Sequence, residues 1–226
     1  MKTLNDVIEY SKYYDGTEKP PRFFCEKFNV KDKLFVPVDD FPLGQKLCQN
    51  PKEDMVLHYF ARDSVQNKLL GDNFGHTNLH KKVYACTSPD FSVDSINCYS
   101  CLNQSNILKA RICAHLWQTQ KDERVILTWI WGKEDTYNMA FGNIEKGSIA
   151  AVSSQAVRNI EIFEKGIRYG IEVVQPEYIC WYGPVYDFMD KYYDKDRIVP
   201  MQKRSELMKQ LENVKISSCY LQGLAW

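Results

Sequence analysis

The residues of this chain best placed for chemistry are carboxylates that fall just after apolar runs. Asp63 follows the run Met55 to Phe60, and Asp90 follows the run Val83 to Thr87. Two carboxylates on neighbouring strand ends can divide acid and base roles or hold a divalent cation, so the pair is the candidate catalytic centre; the sequence names no cofactor, and a divalent cation is the one these residues could hold. Each aspartate alone also suits the N-cap or Asx-turn that commonly follows a strand. Ser88 and Ser92 flank Asp90, Arg111 stands on the next helical stretch and Trp131 ends an apolar run, and these four are the expected binding residues.

Other groupings carry less. Ser88, Ser92, Ser153 and Ser154 lack the G-x-S-x-G elbow of a serine nucleophile, and they suit turns and caps. His76 and His80 have the spacing of a metal-ligand pair on a helix, but Gly71 and Gly75 make that segment a poor helix. Cys98 and Cys101 form a C-x-x-C, with Cys86 and Cys113 further away. Structural zinc sites normally show two such knuckles, and Cys113 falls inside a helical pattern. Gly142, Gly147, Gly166 and Gly170 match neither a P-loop nor a dinucleotide fingerprint. Whether the chain catalyses a reaction is left open by these patterns.

The elements that must position these residues alternate along the chain. β-branched and aromatic runs at Leu34–Val38, Met55–Phe60, Val83–Thr87, Val125–Trp131, Ser148–Ser153 and Tyr178–Tyr182 read as strands. Helical patterns lie between several of them. The clearest has Ile160, Phe163, Ile167, Ile171 and Val174 on one stripe and is stopped by Pro176. Further helices are expected over Asn103–Trp117 and about 201–213. Thr3 to Ser11 reads as a capped amphipathic helix within an N-terminal arm over residues 1–22. Strands that are apolar throughout, such as Val125 to Trp131, fit a parallel sheet covered on both faces. The expectation is a single α/β domain with a mainly parallel sheet of six or seven strands flanked by helices, either an open twisted sheet or an incomplete barrel. In such sheets ligands sit outside the carboxyl ends of the strands.

Composition narrows the partners. The 29 basic and 29 acidic residues cancel, so no global field draws the chain to a nucleic acid or an anionic membrane, and such binding must come from a local patch. No apolar run approaches the roughly 20 residues that span a bilayer. Charges at Asp6, Glu9 and Lys12 interrupt the stretch where a signal peptide is apolar. A cytoplasmic protein with reduced cysteines is expected.

Ser88-Pro89-Asp90-Phe91-Ser92, followed by Asn106, Lys109 and Arg111 and then by Thr128-Trp129-Ile130-Trp131, resembles the domain-of-unknown-function 4417 family of phages, plasmids and other mobile elements. The resemblance continues through Phe141-Gly142-Asn143-Ile144, Lys146-Gly147-Ser148, Ala151-Val152-Ser153, Pro176-Glu177-Tyr178-Ile179 and Tyr182-Gly183. His58-Tyr59-Phe60 and Asp63 fit it more loosely. The chain departs from the pattern at Val93–Cys101, where a Pro-rich stretch is expected, at Lys121–Arg124, which lacks a glycine, and at Asn143, where the family is acidic. The resemblance implies a mobile-element context rather than a reaction. Two functions follow as expectations: a phage protein acting on or binding a nucleotide or nucleic acid at the strand ends, in the host cytoplasm, or a non-catalytic inhibitor or adaptor that binds a host defence protein.

Overall fold

In the computed structural model, residues 20–70, 77–94 and 96–223 are described. The helix expected from Thr3 and the histidine at position 76 lie outside them. Seven strands pair in parallel and in sequential order: β1 (Leu34–Pro37), β2 (Met55–His58), β3 (Ala85–Thr87), β4 (Val125–Thr128), β5 (Ala150–Ser153), β6 (Ile179–Tyr182) and β7 (Ile198–Pro200). The helices are α1 (Phe41–Leu47), α2 (Pro51–Asp54), α3 (Asp63–Leu70), α4 (Thr77–His80), α5 (Ser100–Lys121), α6 (Tyr137–Phe141), α7 (Ile160–Val174) and α8 (Arg204–Gly223). The strand order never reverses, so the architecture is an α/β half-barrel rather than a doubly wound sheet.

The side-chain period of two divides each strand between two apolar layers. Val36, Leu57, Cys86, Leu127, Val152 and Trp181 face outward and pack with Trp117 of α5, Ile167 of α7 and Leu207 of α8. Phe35, Val56, Ile126, Ala151, Cys180 and Val199 form a second layer to which, among the described residues, no helix contributes. That layer fills the inside of the curl. In a flat sheet β2 and β6 would lie roughly 19 Å apart. Here the rings of His58 and Tyr182 are 4.9 Å apart, and Phe60 stacks on Tyr182 at 5.3 Å.

The two edge strands meet through a side chain. Gln202, just past β7, accepts a hydrogen bond from the backbone N–H of Phe35 in β1 at 2.8 Å. Beside this seam Arg204 at the start of α8 pairs with the buried carboxylate of Asp40. An exposed row of edge amides is thus partly satisfied and covered.

Local chemistry explains where the elements differ from their sequence expectation. The Asn159 side chain accepts from the N–H of Ile162 at 3.0 Å to cap α7, and Gln175, in the left-handed region at φ 49°, ends it just before Pro176. The C-terminal helix starts at Arg204 rather than 201, because Met201 still donates to the carbonyl of Trp181 and Gln202 is held at the seam. β4 stops at Thr128, earlier than the apolar run; the N–H of Trp129 still donates to the carbonyl of Ala151 at 2.8 Å, and Ile130 and Trp131 continue as a loop. β7 has no expected counterpart, since Ile198-Val199-Pro200 is too short to show a period. Pro20 to Arg22, at the end of the expected N-terminal arm, have no regular secondary structure. The seven described cysteines are free. Among the described residues no helix is long and apolar enough to cross a membrane.

His58 is fully buried, and neither ring nitrogen has a hydrogen-bond partner. Burial pushes its pKa down to about 3, with the nearby Gln202 backbone acting in the opposite direction. In the unfolded chain the ring titrates near its ordinary value of about 6.5, so below that pH the unfolded state binds a proton that the folded state refuses. The resulting stability is complete above about 6.5 and is lost as the pH falls towards about 3. Urea unfolding is expected to show stability roughly 2 kcal/mol lower at about pH 5 than at about pH 7 from this group, a slope that His58→Phe removes. An unchanged slope in His58→Phe would refute this account.

Candidate functional site at the carboxyl ends of the strands

The loops that leave β3, β4 and β5, with the first turns of α5 and α7, enclose a cavity of about 430 Å³. Its wall includes Asp90, Ser92, Asp94, Asn103, Trp131 and Arg158. The loop after β3 carries the Ser-Pro-Asp-Phe-Ser segment, and its five residues divide the work.

Ser88 is fully buried and lies away from the cavity wall. Its hydroxyl accepts from the N–H of Thr128 at 2.8 Å and its carbonyl accepts from the Thr128 hydroxyl, which extends the β3–β4 pairing past the last ladder bonds. Phe91 is buried in the outer layer with the Lys109 ammonium 4.2 Å from its ring centre. Ser92 is held from two sides. Its N–H and hydroxyl donate to one oxygen of Asp63 at 3.1 and 3.0 Å, and its carbonyl accepts from the Asn106 side chain at 2.7 Å. Asn103 adds a two-way clamp on the backbone of Asp94.

Asp90 is held by its backbone, leaving its carboxyl for other use. The Gln66 amide from α3 accepts from the N–H of Asp90 at 2.8 Å and donates to its carbonyl. Burial and then the Asp63 charge push the Asp90 carboxyl up to about 7, and no hydrogen bond counters them. The residue keeps part of its surface open to the cavity, so water tempers the penalty. Asp63 begins α3 beside this loop without lining the cavity. The two aspartates are therefore electrostatic neighbours with different jobs: Asp63 orders the loop, and Asp90 faces the cavity.

Trp131 reaches the cavity because α7 makes room for it. A Cβ on Gly166 would lie inside the indole ring of Trp131, and one on Gly170 would press on Phe141 and Trp129. The two glycines, one helical turn apart, form the notch that seats these rings. Trp131 stacks on Phe163 of α7 at 5.1 Å, and its exposed part lines the cavity. At the rim Arg158 pairs with Asp94 at 3.2 Å.

Arg111 is elsewhere. It is buried on α5, where its guanidinium donates to the carbonyls of Pro21, Met139, Ala140 and Gly142. A planar fork of donors suits the orphan carbonyls at the end of α6, so its place in the sequence pattern reflects a structural clamp instead of ligand contact. Sequence reasoning missed Asn103, Arg158 and Phe163 at the cavity. Asn103 falls in a recognised helix, but nothing in a linear pattern shows which way it faces. The four cysteines that invite a zinc reading are also dispersed, Cys101 being exposed while Cys86 and Cys113 are buried.

A family model described as a domain of unknown function, DUF4417, matches residues 25–201. The Gene 1 protein of Mycobacterium phage L5 is 34% identical over 136 residues, which cover 58% of this chain and 58% of that protein. The Gene 1 protein of Mycobacterium phage D29 is 30% identical over 134 residues, covering 57% of this chain and 48% of that protein. The match thus spans about half the length of these curated relatives. No solved structure matches the chain.

Between the ordinary carboxyl value near 4 and about 7, folded Asp90 retains a proton that the unfolded chain has released. The stability this provides is complete below about 4 and is lost as the pH rises through about 7. Asp90→Asn should therefore gain on the parent protein across that window, by on the order of 1 kcal/mol per pH unit less the screening from water, and level off above it. Thermal unfolding of both proteins from about pH 4 to about pH 8 checks this, and a constant difference would overturn the assignment.

Proposed function

The chain belongs to the DUF4417 family of domains of unknown function, a phage-associated family, and from that premise we propose that it binds or acts on a nucleotide through the cavity at the carboxyl ends of β3 to β5. The observation that carries this reading is the meeting of an aromatic wall, Trp131 on Phe163, with the Asp90 carboxyl and the Arg158 guanidinium in one cavity of about 430 Å³. That volume suits a small molecule. An indole offers a stacking face to a heterocycle. A carboxyl that exchanges its proton near neutrality can donate to or accept from the polar edge of a base, and can act as general acid or base. Arg158 can leave Asp94 for a phosphate.

The balance of 29 basic and 29 acidic residues favours a single nucleotide over a long nucleic-acid tract. A phosphate beside Asp90 calls for a divalent cation, for which Asp90 is the carboxylate on the cavity wall while Asp63 supports the loop from behind. The protein would work in the host cytoplasm. A second reading, an adaptor or inhibitor that binds a host protein, draws on the exposed side chains of Ile96, Tyr99 and Leu102 beside the cavity rim.

Isothermal titration with nucleoside monophosphates, with and without magnesium, tests the first reading. Binding is expected in the parent protein, with a loss of at least about tenfold in Trp131→Ala and in Asp90→Asn while the fold is kept. Tyr99→Ser is expected to leave it unchanged. No binding of any nucleotide, or loss only in Tyr99→Ser, would reject the nucleotide reading.

A further inference from the structure

A second group of chemically capable side chains lies at the opposite ends of the strands, independent of the nucleotide reading. His80 ends α4, Cys86 lies in β3, and Glu123 stands in the turn that follows α5, next to Asp122 in the left-handed region at φ 52°. One ring nitrogen, the sulfur and a carboxylate oxygen of these residues all fall within 4.8 Å of one another. All three side chains are buried, that of Glu123 to within 9%. We propose that His80, Cys86 and Glu123 form a binding site for a divalent transition-metal ion of the zinc type.

A purely structural account would have a hydrogen-bonded chain. The Tyr59 hydroxyl is 2.7 Å from Nε2 of His80, and Nδ1 of His80 is 2.6 Å from Oε2 of Glu123. Two observations go beyond it. Oε1 of Glu123 is buried with no hydrogen-bond partner, which is a costly way to hold a carboxylate. Cys86 has only a long contact from its sulfur to the carbonyl of Arg124, at 4.0 Å, so its lone pairs remain for a ligand. An ion among these groups removes both deficits.

The donor set selects the class of ion. Sulfur, imidazole nitrogen and carboxylate oxygen together suit zinc and its neighbours, whereas calcium and magnesium favour oxygen alone. Coordination through Nδ1 would leave Nε2–H to donate to the Tyr59 hydroxyl, the supporting bond that metal-bound histidines normally have. Binding releases the Cys86 thiol proton to solvent. Three protein ligands leave a fourth position, and the cluster borders a cavity of about 620 Å³ that Glu26 and Asp122 also line, so water or a further carboxylate can complete the shell.

Cobalt(II) titration of the metal-depleted full chain is the test, because a cysteine thiolate bound to cobalt gives a charge-transfer absorption that oxygen and nitrogen ligands do not. One equivalent is expected to produce that band, and zinc to abolish it. The band should vanish in Cys86→Ser and cobalt should bind at least about tenfold more weakly in Glu123→Gln, a variant that keeps the side-chain shape. It should persist in a Cys98→Ser/Cys101→Ser variant and in Cys113→Ala. A parent protein without the band, a band that survives Cys86→Ser, or one that depends on Cys98 and Cys101 would overturn the proposal. Should Cys86→Ser fail to fold, the band and the affinity in Glu123→Gln decide it.

Discussion

Curling of the sheet is the constraint on which the other features depend. Seven parallel strands in sequential order have one face on which no helix packs among the described residues, and that face carries Phe35, Val56, Ile126, Ala151, Cys180 and Val199. An open sheet would give this layer to water. Closing the sheet around it buries the layer against itself, which brings His58 of β2 against Tyr182 of β6 and sets Gln202 across the seam to β1. The cost is visible in His58, whose ring is buried without a partner for either nitrogen. A polar side chain at the end of an inward-facing row has nowhere else to go once the strands close.

The same curl decides where chemistry can occur. With no reversal in strand order there is no crevice of the doubly wound kind, so the candidate sites are found at the two ends of the sheet. At the carboxyl ends the cavity wall is built by backbone clamps from side-chain amides: Gln66 on Asp90, Asn103 on Asp94 and Asn106 on Ser92. These hold a loop without engaging the carboxyl of Asp90. At the amino ends the buried His80, Cys86 and Glu123 are gathered by short connections, α4 into β3 and α5 into β4. One end has an aromatic wall, and the other is rich in ligand atoms.

Electrostatics explains why residues of one motif serve different ends. Asp63 and Asp90 repel, and the structure satisfies only one of them. Two bonds from Ser92 hold Asp63, while Asp90 is left with burial and a like charge, which together raise its pKa. Arg111, a cation of the same sequence pattern, is not used to neutralise them. Its guanidinium is spent on the carbonyls of Pro21, Met139, Ala140 and Gly142, where removing it would leave several buried acceptors without donors.

The alternation of apolar runs and helical stripes in the sequence was enough to determine a parallel α/β fold, since runs such as Val125 to Thr128 are apolar on both faces and Ile160 to Val174 repeats at helical spacing between Asn159 and Pro176. The Ser-Pro-Asp-Phe-Ser segment marked the loop that lines the cavity, and Trp131 could be placed at its edge as the end of an apolar run. Local pattern could not choose between an open sheet and a curled one, because both have the same periods and differ only in whether β1 and β7 meet. Nor could it separate Asp90 from Ser88 or Arg111, whose roles follow from the direction each side chain takes after burial. The nearness of His80, Cys86 and Glu123 likewise left no trace in spacing. Contacts between residues as distant as position 80 and position 123 depend on how the elements pack, and that information exists only in the tertiary structure.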